Sequence, residues 1–192
     1  MQNFRKRLIG WAIVVALILL IPLILTLLGS GVDGDGWHWT LFDFVFMGVL
    51  LFGAGLAYEL LARKTTNNSY RFAVSIAITA SVLLVWINGA VGFIGNENNP
   101  ANLMYFGVLA IGAVGSLVAH FKPQGMARAL LTMAGAQFLV PIIAVIIWRP
   151  QFSPGVAGVF VLNAFFVISY LMSAWLFQRA AQLPEANTNK TG

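Results

Sequence analysis

The chain has 192 residues, of which 59% are hydrophobic and 9% charged, with a formal net charge of +5 and no cysteine. Soluble domains carry about 25% charged residues, so this composition excludes an ordinary water-soluble fold. The absence of cysteine excludes disulfides, thiolate metal sites, iron–sulfur clusters and cysteine nucleophiles. Because the basic residues occur in short groups at the ends of apolar runs, membrane topology explains them, and we do not expect nucleic-acid binding.

Six apolar runs are each long enough to cross a bilayer as a helix, which takes about 20 residues. The first follows a basic cluster at residues 5–7 and has no small-residue cleavage site after it, which indicates an uncleaved anchor. Asn99 and Pro100 predict the start of the fourth helix, because asparagine caps helices and proline suits their first position. The polar tail, 178–192, is typical of a disordered segment. The six predicted spans are 8–28, 39–61, 72–94, 101–120, 129–148 and 155–177.

Lys and Arg residues are distributed unequally between the two sides of the membrane that these spans imply. Ten of the eleven lie on the side of the two chain ends, and Arg149 alone lies on the other. Basic connectors stay in the cytoplasm. We therefore predict an all-α, polytopic integral membrane protein, a bundle of six transmembrane helices forming one domain over 1–177. We expect it in a bacterial inner membrane, with both termini cytoplasmic and with Asp33, Asp35 and Glu97 facing outward.

Polar side chains within the spans are the functional candidates, because each costs free energy in lipid unless it is paired or faces a cavity. We predict that five of them bind a small solute or an ion. Asp43, near the outer end of span two, would act as an outer carboxylate that binds a proton or a cation. The others would line a central cavity, and they are Asn88, Tyr105, Gln137 and Asn163.

Each of these candidates also has a purely structural interpretation. Asp43 could be an interfacial carboxylate hydrated at the headgroup level, and the amides could be ordinary interhelical hydrogen bonds, worth around 1 kcal/mol or less. Span four presents a mildly polar face along its length, which either lines a path or packs through small residues such as Gly112 and Ser116. The residues of this face are Asn102, Tyr105, Leu109, Ala113, Ser116 and His120.

No catalytic signature occurs in the chain, neither a nucleophile elbow, nor a zinc-protease motif, nor a glycine-rich phosphate loop. His38 and His120 are predicted at opposite membrane surfaces, so they cannot both ligate one haem or one metal ion. We accordingly predict no cofactor, no metal site and no catalytic residue. A membrane enzyme acting on a lipid or a quinone stays open as a third class.

Two functions fit these observations. The first is binding or translocation of a small solute or ion through a central helix-lined cavity, with opening at kinks that Pro22 and Pro141 would introduce. The alternative is a non-transporting accessory, assembly or sensor subunit that docks onto a larger membrane complex. The lipid bilayer is the predicted partner in both, and a homo-oligomer is compatible with either. The direction in which the amides face separates the two functions.

Overall fold

The computed structural model of the chain describes residues 2–28, 39–63, 65–95, 98–148 and 155–182. The regular secondary structure of the described residues is helical, with six helices long and apolar enough to cross a membrane, which confirms the predicted number of spans. The helices are α1 (Gln2–Leu28), α2 (Leu41–Ala62), α3 (Asn68–Ala90), α4 (Leu103–Val118), α5 (Pro123–Trp148) and α6 (Val156–Gln182). A single 3₁₀ turn, Pro100–Asn102, precedes α4.

The helices fall into two compact units, Met1–Leu60 and Leu61–Gly192. The first contains α1 and almost all of α2, and the second contains α3 to α6. The predicted single six-helix domain stays a prediction. Several residues on which the predicted orientation depends lie outside the described residues, namely Asp33, Asp35, Lys64, Glu97, Arg149 and Lys190.

The first unit is an antiparallel helical hairpin. Near the start of α1, the Arg7 guanidinium lies 3.1 Å from the carboxylate of Glu59, which is near the end of α2. Trp11 Nε1 donates to the same carboxylate over 3.4 Å. Gly55 makes room for the indole, because a Cβ at this position would come within 2.6 Å of the Trp11 ring. The two helices are therefore joined through one buried carboxylate and one aromatic ring.

The second unit is a four-helix bundle in which neighbouring helices run antiparallel. Helix α5 packs against α4 and α6, and α3 packs mainly against α6. At one end of the bundle, the Tyr70 hydroxyl donates to the Phe121 carbonyl over 2.8 Å, and Asn67 Nδ2 donates to the Ala180 carbonyl over 3.2 Å. These bonds place the start of α3 beside the ends of α4 and α6.

Large apolar side chains cover the outside of the second unit. Val114, Phe138, Ile146, Val161 and Ile168 are each more than half exposed. A helix that is apolar on every face belongs in lipid, because water tolerates only small exposed apolar patches on a monomer. The distribution of side chains in this unit is therefore that of a bundle surrounded by hydrocarbon.

Glycines hold α4 close to α5. A Cβ at Gly115 would lie 2.7 Å from the Cβ of Ala129 and 3.3 Å from its Cα, so these backbones approach each other directly. Ser116 bonds to the Gly112 carbonyl of its own helix over 2.7 Å, and Ala113 is exposed. The mildly polar face predicted for span four is therefore not buried along its whole length.

Several helix ends differ from the predicted ones, among them four in α3, α5 and α6. Helix α3 begins at Asn68, behind an N-cap at Asn67, and ends at Ala90 rather than at residue 94. Helix α5 begins at Pro123, before the predicted residue 129. Helix α6 continues to Gln182, so residues 178–182 are helical and not disordered, whereas the rest of the predicted tail lies outside the described residues.

Candidate functional site

Three polar side chains from three helices meet inside the second unit, and we call them the amide cluster: Tyr105 of α4, Gln137 of α5 and Asn163 of α6. Gln137 Nε2 donates to Asn163 Oδ1 over 2.9 Å. The Tyr105 hydroxyl donates to the same oxygen over 3.2 Å and accepts from Asn163 Nδ2 over 3.0 Å. None of the three residues is more than 2% exposed. Three of the five candidates from the sequence thus lie in direct contact.

The main chain fixes the direction of both amides in the cluster. Asn163 Nδ2 also donates to the Val159 carbonyl over 2.8 Å, and a carbonyl oxygen can only accept. The oxygen of Asn163 therefore faces Gln137, which must present its nitrogen. This leaves Gln137 Oε1 buried and without a hydrogen-bond partner among the described residues. An unpaired buried acceptor costs about 1–3 kcal/mol.

Pro141 removes a helical hydrogen bond from the main chain of Gln137. In a regular helix the Gln137 carbonyl would accept from the N–H of residue 141, and proline has none. Pro141 lies inside α5 and is fully buried. Gln137 therefore combines an unpaired side-chain acceptor with a main-chain carbonyl that lacks its regular helical donor. The Gln-x-x-x-Pro spacing is visible in the sequence and could have marked this position.

Asn102 organises the connection between α3 and α4. Its Oδ1 accepts from the main-chain nitrogens of Phe93 and Ile94, over 3.1 and 3.0 Å. Its Nδ2 donates to the Ile94 carbonyl over 3.4 Å. Helix α3 ends before Phe93 because this amide replaces the helical partners, while Gly92 takes a positive φ of 70° that suits glycine. The sequence places Asn102 on the polar face of span four, but nothing in it predicts this role.

Asn88 lies beside Asn102, at the end of the bundle where α3 stops. Its Nδ2 donates to the Asn102 carbonyl over 3.2 Å, and its Oδ1 has no partner among the described residues. The Asn88 side chain is almost fully buried and lines a groove of about 420 Å³. The groove has the apolar walls Leu103 and Phe106 and is otherwise lined mainly by asparagines, namely Asn88, Asn98, Asn99 and Asn102.

Phe93 connects the groove to the amide cluster. Its main-chain nitrogen is held by Asn102, which lines the groove, and its ring lies 4.6 Å from the Tyr105 ring, centre to centre. The same ring meets Phe166 of α6 edge to face, at 5.5 Å. The groove and the cluster are thus connected by contacts from Asn102 through Phe93 to Tyr105. The predicted central cavity corresponds to a groove and a closed cluster rather than to one open space among the described residues.

Asp43, the fifth candidate, belongs to the first unit, where its hydrogen bonds are local. Its Oδ2 accepts from the Thr40 nitrogen and from the Thr40 hydroxyl, both over 2.8 Å. The Asp43 nitrogen lies 3.4 Å from that hydroxyl, which completes a reciprocal capping box at the start of α2. This geometry gives Asp43 a structural role. Its predicted role as an outer coupling carboxylate stays a prediction.

The remaining polar groups do not build a second chemical centre in the part of the chain that the structure describes. No group of three or more His, Cys, Asp or Glu side chains there could hold a metal ion. His120 is exposed, with Nδ1 2.9 Å from the Val118 carbonyl, and His38 lies outside the described residues. The ion pair between Arg7 and Glu59 was not predicted, because 52 residues separate the partners.

No known protein family matches the chain, and no similar curated protein or solved structure was found.

Proposed function

We propose that the chain is a multi-pass membrane protein whose second unit binds a small polar solute and lets it cross the bilayer. The observation that carries this proposal is the buried, unpaired oxygen of Gln137 in the amide cluster. A bundle held together only by interhelical hydrogen bonds gains nothing from an unpaired acceptor in its interior, whereas a solute that donates to it would remove the penalty. The solute would enter at the groove beside Asn88, and the Phe93 side chain would move aside to let it reach the amide cluster.

The charges of the bundle support the orientation that we propose. Arg71, Lys122, Arg128 and Arg179 all belong to the end at which Tyr70 bonds to the α4–α5 connection. Basic ends stay in the cytoplasm, so we assign this end to the cytoplasmic side of a bacterial inner membrane, with both termini inside. The groove at Asn88 then opens on the outer side.

Cysteine labelling tests this orientation directly, because the natural chain contains no cysteine. Asn98→Cys, at the groove, should react with a membrane-impermeant maleimide on intact cells. Gln124→Cys, exposed at the start of α5, should react only after the cells are opened. The reverse pattern would mean that the bundle has the opposite orientation.

Flux through proteoliposomes tests the function. Gln137→Met keeps the size of the side chain and removes its amide, whereas Gln124→Met makes the same change at an exposed position of the same helix. We expect Gln137→Met to reduce glycerol or urea flux about fivefold or more, because the solute no longer meets a buried acceptor whose pairing is worth about 1–3 kcal/mol. Gln124→Met should keep the wild-type flux.

Thermal unfolding of the same two variants separates function from folding. Gln137→Met removes one hydrogen bond and one unpaired acceptor together, so we expect an unfolding temperature close to that of the wild type. Equal flux in the two variants, or wild-type flux no faster than in protein-free vesicles, would contradict the proposed function. Asp43→Asn in the same assay tests the coupling role predicted for Asp43.

A second candidate function is a non-transporting subunit of a larger membrane complex. The direct contacts within the amide cluster favour it, because hydrogen bonds among Tyr105, Gln137 and Asn163 can serve packing alone. Purification from native membranes in mild detergent should then recover a partner in a fixed ratio. Repeated recovery of the chain alone would count against this candidate.

A further inference from the structure

Two unpaired acceptors of the second unit indicate the class of solute, in an inference that rests on the proposed function. Gln137 Oε1 and Asn88 Oδ1 are buried acceptors without partners among the described residues. Both are fixed as acceptors, because each amide nitrogen is already committed, to Asn163 Oδ1 and to the Asn102 carbonyl respectively. We infer that the solute is a small uncharged molecule that donates hydrogen bonds, such as a polyol or an unsubstituted amide.

The described residues along the proposed path carry no charge, which favours an uncharged solute. Within the described residues, no charged side chain lines the groove or hydrogen-bonds to the amide cluster. An ion that left water there would lose its hydration without meeting an opposite charge. An anion would also approach two oxygens that carry partial negative charge. A neutral donor avoids both penalties.

Apolar surfaces beside the two acceptors suit the carbon skeleton of such a solute. Leu103 and Phe106 form one wall of the groove, and the Phe93 ring covers Tyr105. A molecule that alternates CH groups with hydroxyl or amide donors can contact these rings while it bonds to the acceptors. The groove volume, about 420 Å³, lies in the range of small-molecule sites.

Matched solutes test this inference in proteoliposomes. Urea and guanidinium are both planar and rich in donors, but guanidinium carries a charge. Trimethylamine N-oxide is small and has no net charge, but it has no donor. Stopped-flow light scattering at non-denaturing concentrations should show urea and glycerol crossing at least about tenfold faster than in protein-free vesicles. Guanidinium and trimethylamine N-oxide should cross at the protein-free rate.

The two proposals fail in different ways in this experiment. If guanidinium or trimethylamine N-oxide crosses as fast as urea, the inferred solute class is wrong while the proposed transport function stands. If no solute of the panel crosses faster than in protein-free vesicles, the proposed function itself is wrong and the inference falls with it.

A charge introduced at the groove gives a readout that a purely structural role would not affect. Asn88→Asp places a carboxylate beside Asn102, so the ratio of guanidinium flux to urea flux should rise about tenfold, equivalent to 1.4 kcal/mol. Asn68→Asp, at the exposed start of the same helix, should leave this ratio unchanged. If Asn88→Asp does not fold, Asn88→Leu should reduce urea flux and Asn68→Leu should not. An unchanged ratio in folded Asn88→Asp, or unchanged urea flux in Asn88→Leu, would overturn the inference.

Discussion

Replacing Asn163 with leucine should lower the free energy of unfolding of the second unit by about 2–3 kcal/mol. An interhelical hydrogen bond in a membrane protein is typically worth about 0.6 kcal/mol. The loss at Asn163 is larger than this value because its side chain bonds to both Gln137 and Tyr105. Its removal leaves these two buried polar groups unpaired, at a cost of about 1–3 kcal/mol each before relaxation. Unfolding by denaturing detergent in mixed micelles measures the difference.

Two further variants separate the loss of the Asn163 hydrogen bonds from the change of side-chain shape that leucine brings. Gln178→Leu alters an exposed polar residue of the same helix and should change the stability by less than about 0.5 kcal/mol. Adding Gln137→Met to Asn163→Leu removes the stranded amide, and we expect it to restore about 1 kcal/mol. If the double variant is no more stable than Asn163→Leu, the side chains of Gln137 and Asn163 are not energetically coupled.

Replacing Gly115 with alanine should destabilise the contact between α4 and α5 by about 1–3 kcal/mol. The added Cβ would lie 2.7 Å from the Cβ of Ala129 and 3.3 Å from its Cα. No flexible side chain stands at this contact, so the helices themselves must separate, which is the cost of overpacking a tight interface. Because Tyr105 and Gln137 lie on these two helices, the shift should also weaken the amide cluster.

Gly107→Ala is the matched control on the same helix. A Cβ at Gly107 would meet no atom within 4 Å, and alanine favours a helix over glycine by up to about 1 kcal/mol. We therefore expect Gly107→Ala to be neutral or stabilising in the detergent titration. Equal destabilisation by both substitutions would contradict close packing against Ala129 as the cause of the effect at Gly115.

The sequence predicts the helices well because a single physical requirement sets them. A span needs about 20 apolar residues whose backbone groups bond to each other, so the length of each apolar run gives the helix directly. Its ends are less predictable. Helix α3 stops at Ala90 because Asn102, in the next helical segment, binds the nitrogens of Phe93 and Ile94. The hydrophobic pattern of the sequence cannot predict a hydrogen bond between residues that are eight or nine positions apart.

The candidate site could be predicted by residue type but not by arrangement. Asn88, Tyr105, Gln137 and Asn163 stand out because lipid penalises unpaired polar groups. Whether they meet depends on how each helix is rotated, and α5 and α6 are so evenly apolar that their sequences give no preferred face. Three of the four meet in one cluster, while Asn88 lines a separate groove with Asn102.

The most direct test of the account is to observe the amide of Gln137 while a solute binds. In lipid nanodiscs with ¹⁵N-labelled glutamine, the side-chain signal of Gln137 is assigned by its loss in Gln137→Met, and that of Gln124 by its loss in Gln124→Met. We predict that added glycerol shifts the Gln137 signal in a saturable way and leaves the Gln124 signal in place. Glycerol that crosses proteoliposomes without shifting the Gln137 signal would contradict the assignment of the amide cluster as the solute site.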